Sequence, residues 1–150
     1  MNKSAMAKTG TRRSMLGVTL LELMAVVMVI GILGVIAVPS YRQYVMRAQR
    51  TEAKSALLQL VTNQERFYLA NRTYGSMAQL IVANLATGTS ERGIYTLTID
   101  VPTPLVGYTA TATPTVGAAI DMTADAQCTS FSMTAQGVRT ATGTDPANCW

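Results

Sequence analysis

Between Gly17 and Pro39 the chain carries an apolar run broken only by Thr19 and Glu22. At about 1.5 Å per helical residue this run reaches roughly 30 Å, the thickness of a bilayer's hydrocarbon core. Glu22 is the misfit. A carboxylate at membrane depth costs on the order of 2.5–3.5 kcal/mol. A helix N-terminus returns about 0.3–1 kcal/mol of that. The balance calls for a positive partner, and two unit charges 4 Å apart attract by about 4 kcal/mol at an effective dielectric of 20.

The residues around the run resemble a known family. Gly17 followed by Val-Thr-Leu-Leu-Glu, then Val-Ile-Gly-Ile-Leu-Gly-Val-Ile-Ala-Val-Pro, is similar to the start of a type IV pilin. The resemblance implies that a prepilin peptidase cuts between Gly17 and Val18 on the cytoplasmic face. It implies methylation of the new N-terminus, Val18, and a role in filament assembly for Glu22, paired with the N-terminal amine of a neighbour. One departure is Val18 itself, where the family usually has Phe.

The formal charge of +4 is largely a property of residues 1–17. Lys3, Lys8, Arg12 and Arg13 precede Gly17 without an acid, and from Val18 onward eight basic side chains face eight acidic ones. The remainder is formally neutral, so net charge makes no case for nucleic acid, which is disfavoured as a partner. The four leading cations keep this end cytoplasmic and send the C-terminal side across the membrane. An ordinary secretory signal cut near Val35-Ile36-Ala37 is the competing reading, and it leaves Glu22 unexplained.

Past Pro39 the all-round apolar pattern becomes amphipathic. Val45, Ala48, Ala53, Leu57, Leu60, Val61, Gln64, Phe67 and Tyr68 recur at steps of three to five, one face of a helix reaching about Ala70. Arg42, Arg47, Arg50, Glu52, Lys54, Glu65 and Arg66 take the remaining faces. Pro39 removes a backbone donor and bends the helix. Gly31 and Gly34 each weaken it by roughly 1 kcal/mol relative to alanine. Residues 31–39 are therefore expected to lose helical hydrogen bonds when subunits pack in a filament. A turn-rich connection follows at 71–94, with a short helix expected over 77–85.

From Tyr95 the period is two. Tyr95, Leu97, Ile99 and Val101 form a half-buried strand; Tyr108, Ala110 and Ala112 form a second; Phe131 and Met133 a third. A short fourth follows near Val138-Arg139-Thr140. Three or four antiparallel strands need a cover for their apolar face, and the amphipathic helix supplies it. Cys128 and Cys149 read as a disulfide in an exported domain. The expected class is α+β, the type IV pilin fold: leader 1–17, membrane or filament-core helix 18–38, head helix 39–70, connection 71–94, sheet and disulfide-bounded end 95–150.

Further stretches resemble minor pilins of the PilE type: Tyr41-Arg42-Gln43-Tyr44, Arg50-Thr51-Glu52, Gln64-Glu65-Arg66-Phe67-Tyr68, Tyr108-Thr109-Ala110-Thr111-Ala112-Thr113-Pro114 and the ending Asn-Cys-Trp. The resemblance implies a low-abundance pilus subunit, held in the inner membrane with its head in the periplasm and then extracted into an extracellular filament. It implies other pilin subunits, the peptidase and methyltransferase, the assembly machinery and membrane lipid as partners. Twitching motility, adhesion and DNA uptake come with the family. The chain has no histidine, nucleophile–base pair, phosphate loop or metal cluster, so no catalytic residue, metal or cofactor is expected and the chain is not read as an enzyme. Asp121 and Asp125 are too few for a calcium site. Two alternatives stay open: a pseudopilin of a type II secretion system, and a filament-displayed binding module for surfaces or DNA. An exposed cluster of basic and aromatic side chains in the head would favour the second.

Overall fold

The computed structural model describes residues 19–103 and 106–150, and the expected cleavage site at Gly17 and Val18 lies outside them. The elements are α1 (Leu20–Asn71), α2 (Met77–Val82), β1 (Tyr95–Thr103), β2 (Gly107–Pro114), β3 (Ser130–Thr134) and β4 (Arg139–Thr142), with a 3-10 turn at Pro146–Asn148. The chain divides after Ser40 into two compact units.

The first unit is the leading part of α1. Thr19 caps it: the Glu22 N–H donates to Thr19 Oγ1 at 3.2 Å, and the Leu23 N–H donates to the Thr19 carbonyl at 3.1 Å. The helix continues through Gly31, Gly34 and Pro39.

The second unit, Tyr41–Trp150, is the head. Its part of α1 buries Ala53, Ala56, Leu57, Leu60 and Gln64 in one core with Tyr95, Leu97, Tyr108, Ala110, Ala112 and Phe131. Gln64 is polar yet fully buried, because its amide forms a two-way pair with a backbone: Nε2 donates to the Gly75 carbonyl at 2.6 Å, and the Gly75 N–H donates to Oε1 at 3.0 Å. Gly75 must be glycine for that approach, since an added Cβ would stand 2.8 Å from side-chain carbons of both Phe67 and Leu80. The short helix α2 begins with a capping box, in which the Gln79 N–H donates to Ser76 Oγ and the Ser76 N–H to Gln79 Oε1. It ends at Val82, sooner than the expected 85.

The sheet is an antiparallel meander in the order β1-β2-β3-β4. Its register aligns Leu97 with Ala112, Ala112 with Phe131 and Phe131 with Ala141, an inward row across all four strands. One residue along, Thr98, Thr111, Ser132 and Thr140 align on the outer face. The alternation expected for the strands is therefore observed, with hydroxyls as the outward partner.

Two expectations for α1 need correction. Ala48 is exposed rather than buried. Arg50, expected on a solvated face, is only 6% exposed. The reason is a carboxylate 75 residues further along the chain.

Candidate functional site

Glu22 sits in the first turn of α1, where the helix dipole and the Thr19 cap favour a carboxylate. Around and beyond it, Leu20, Leu21, Leu23, Met24 and the large apolar side chains as far as Val38 are exposed. A segment this long and apolar is compatible with a membrane span by length and composition. Bare apolar surface of such extent marks a lipid or protein contact. Glu22 is the one ionisable group on it between Thr19 and Ser40. Gly31, Gly34 and Pro39 occur along the same segment, and a Cβ at either glycine would meet nothing within 4 Å.

In the head the organising contact is Arg50 with Asp125. The guanidinium donates from Nε to Asp125 Oδ2 at 2.7 Å and from Nη2 to Asp125 Oδ1 at 2.8 Å. Its Nη2 also donates to Gln127 Oε1 at 2.9 Å. Both charges are buried, and the fork geometry satisfies both carboxylate oxygens. The hydrogen bond to Asp125 raises the Arg50 pKa further, against the opposing effect of burial. Asp125 Oδ1 additionally accepts the Cys128 N–H at 3.4 Å. Thus α1, the β2–β3 connection and the disulfide meet at one point. Of the basic side chains Arg42, Arg47, Arg50 and Lys54 along α1, Arg50 is withdrawn from the surface.

Cys128 and Cys149 are bonded, with a Cα–Cα distance of 5.8 Å. The closed loop is held by more than sulfur. The Thr144 N–H donates to the Ala126 carbonyl at 2.9 Å, the Asp145 N–H to the Gln127 carbonyl at 3.2 Å, and Trp150 Nε1 to the Thr140 carbonyl at 2.6 Å. Gly143, at φ +140°, lies so close to the Gln127 carbonyl that any side chain would collide with it. The Trp150 ring meets Phe131 edge to face at 5.9 Å, and the exposed Arg139 guanidinium stands over it at 5.4 Å. This is a basic–aromatic pair on the head surface, which the sequence did not disclose.

A second ion pair ties the connection to α1. Glu52 accepts the Arg92 N–H at 3.0 Å and Arg92 Nε at 2.6 Å, while Arg92 Nη2 donates to Gln49. Burial pushes the Glu52 carboxyl up, but hydrogen bonds from Ser90 and Arg92 outweigh it and hold the pKa below its ordinary value. Tyr108 donates to Glu65 Oε1 at 3.1 Å, joining β2 to α1, and burial beside that carboxylate raises its phenol.

No curated protein matches the chain. A solved type IV pilin from Shewanella oneidensis is similar to it at 20% identity and a TM-score of 0.46, covering 70% of this chain and 97% of that one. A family model, described as the type IV minor pilin ComP, DNA uptake sequence receptor, matches residues 39–132. That stretch covers more than half of the chain and runs from the start of the head helix into β3. The chain therefore belongs to the ComP family of type IV minor pilins.

Proposed function

We propose that this pilin is held in the inner membrane by α1 and assembled into a type IV pilus with Glu22 as its docking carboxylate. The observation that carries this reading is a single ionisable group on a long, exposed apolar helix face. In lipid that carboxylate is costly, and the ammonium of Val18 on a neighbouring subunit relieves it. Methylating an amine keeps its charge, so the attraction survives the modification. Docking in register is then favoured over docking out of register. Cleavage after Gly17 and local unwinding over 31–39 belong to the same proposal. Glu22→Ala should reach the membrane in normal amount, yet fall at least tenfold in sheared filaments. Equal recovery of variant and parent from filaments would refute the docking role.

A second reading concerns the head. The matching family model is described as a DNA uptake sequence receptor, and the match lies on the head rather than on the anchor. The head also carries the Arg139–Trp150 pair, a cation and a stacking surface of the kind that tracks nucleic acid. We therefore propose DNA as a ligand of the assembled subunit, although the net charge disfavours it. Binding of the full chain in detergent to duplex DNA should weaken steeply with salt, and Arg139→Gln should reduce the slope of log K against log salt by about 1. Absence of any salt-sensitive binding at low ionic strength would reject the reading.

A further inference from the structure

Between Leu23 and Thr51 the sequence contains Arg42, Arg47 and Arg50 and no carboxylate. Arg50 is consumed by Asp125. Arg42 and Arg47 are exposed, with no ion-pair partner among the described residues. Tyr41 and Tyr44 beside them are 69% and 66% exposed. At 100° per residue Arg42 lies in line with Ala53 but is itself exposed, whereas Tyr44 and Arg47 fall on the side of α1 opposite the buried Ala53, Leu57 and Gln64. They are therefore free of the head's core.

The distances fit one environment. Arg42 follows the last apolar residue, Val38, by four positions, about 6 Å of helical rise, and the headgroup layer of a leaflet is roughly 5–7 Å deep. Tyr41 and Tyr44 bracket that level, where amphipathic rings settle. Arg47 is about a dozen ångströms out, but helical side chains lean toward the N-terminus, here toward the bilayer, and an arginine's stem is long. Basic residues next to a span are ordinarily kept on the cytoplasmic side. Two unpaired arginines on the translocated side run against that bias and ask for a local anion.

We propose that Tyr41, Arg42, Tyr44 and Arg47 form a collar that binds the headgroup phosphates of anionic phospholipid while the subunit waits in the membrane. The collar rests on the membrane-anchored reading above. It adds that headgroup contacts set the depth and orientation of the stored subunit and must be released on extraction. Anionic lipid is favoured over DNA because the collar adjoins the span and carries two aromatic anchors at headgroup level.

The test uses the full chain reconstituted in vesicles of phosphatidylcholine alone or with a third phosphatidylglycerol. Trypsin cleavage after Arg42 and Arg47 is timed against cleavage after Arg66 and Arg72 in the same molecules. Phosphatidylglycerol should slow the two collar cuts about fivefold each relative to the reference cuts. High salt should remove the protection, and Arg47→Gln should weaken it at Arg42. Collar cuts that ignore lipid charge overturn the proposal while leaving the anchor intact. Protection given by duplex DNA on neutral vesicles, and not by phosphatidylglycerol, overturns it in favour of a nucleic-acid face. A chain that alkaline carbonate strips from the vesicles overturns both the collar and the anchor.

Discussion

Tyr95 is fully buried, and its hydroxyl has no hydrogen-bond partner among the described residues. Burial first, then the neighbouring Asp125, push its phenol up to about 12, with Arg50 opposing. A folded-state pKa above the unfolded value means full stability below about pH 10, lost progressively as pH rises toward 12. Tyr95→Phe deletes an unsatisfied polar group without opening a cavity. It should be neutral or stabilising by about 1 kcal/mol near neutrality. It should also flatten the decline between pH 10 and 12, though Tyr108, held by Glu65, keeps part of that slope. Chemical denaturation at pH 8 and at pH 11 checks both. A loss above about 2 kcal/mol at pH 8 would show that the hydroxyl has a partner after all. A period of two identifies Tyr95 as inward, but it carries no information on whether an inward hydroxyl is satisfied.

At the scale of elements, the contact between α1 and the β2–β3 connection rests on two buried charges 75 residues apart. Removing one leaves the other uncompensated, so Asp125→Ala should cost about 3–5 kcal/mol of unfolding free energy. Replacing both, as Arg50→Met with Asp125→Leu, should cost less than either single change. Additive losses across that cycle would mean that the two residues do not act as a pair. The helical period is compatible with an inward Arg50, since Arg50, Ala53, Leu57, Leu60 and Gln64 follow steps of three and four. Its charge argues for solvent, and the carboxylate that draws it inside is too distant in sequence to leave a local signal. The strands show the opposite case. Their alternating residues decide the inner face locally, so β1, β2 and β3 could be read directly, while β4, at four residues, was legible only as a short continuation near Val138-Arg139-Thr140.

For the molecule as a whole, the N-terminal motif made the fold and the family readable, because few architectures need a carboxylate at a fixed distance from a glycine ahead of an apolar helix. The DNA contact proposed for the head stood in the sequence only as an open alternative. Near-neutral net charge reports a sum, whereas recognition depends on placement, and Arg139 and Trp150 meet only through the β4 register and the bonded tail. The tail can be tested on its own terms. The Cys128–Cys149 bond closes a loop whose ends are 21 residues apart. In the chain-entropy model this lowers the freedom of the unfolded state by roughly 3 kcal/mol. The native tail is also held by hydrogen bonds to Ala126, Gln127 and Thr140 and by a ring contact with Phe131, none of which involves the sulfurs. The two effects separate in one variant, Cys128→Ala with Cys149→Ala. It should unfold with about 3 kcal/mol less stability, yet below its transition Trp150, the single tryptophan, should emit as in the parent. Emission shifted toward that of water-exposed indole under native conditions would mean that the disulfide alone seats the tail, and that Arg139 and Trp150 are brought together by oxidation rather than by packing.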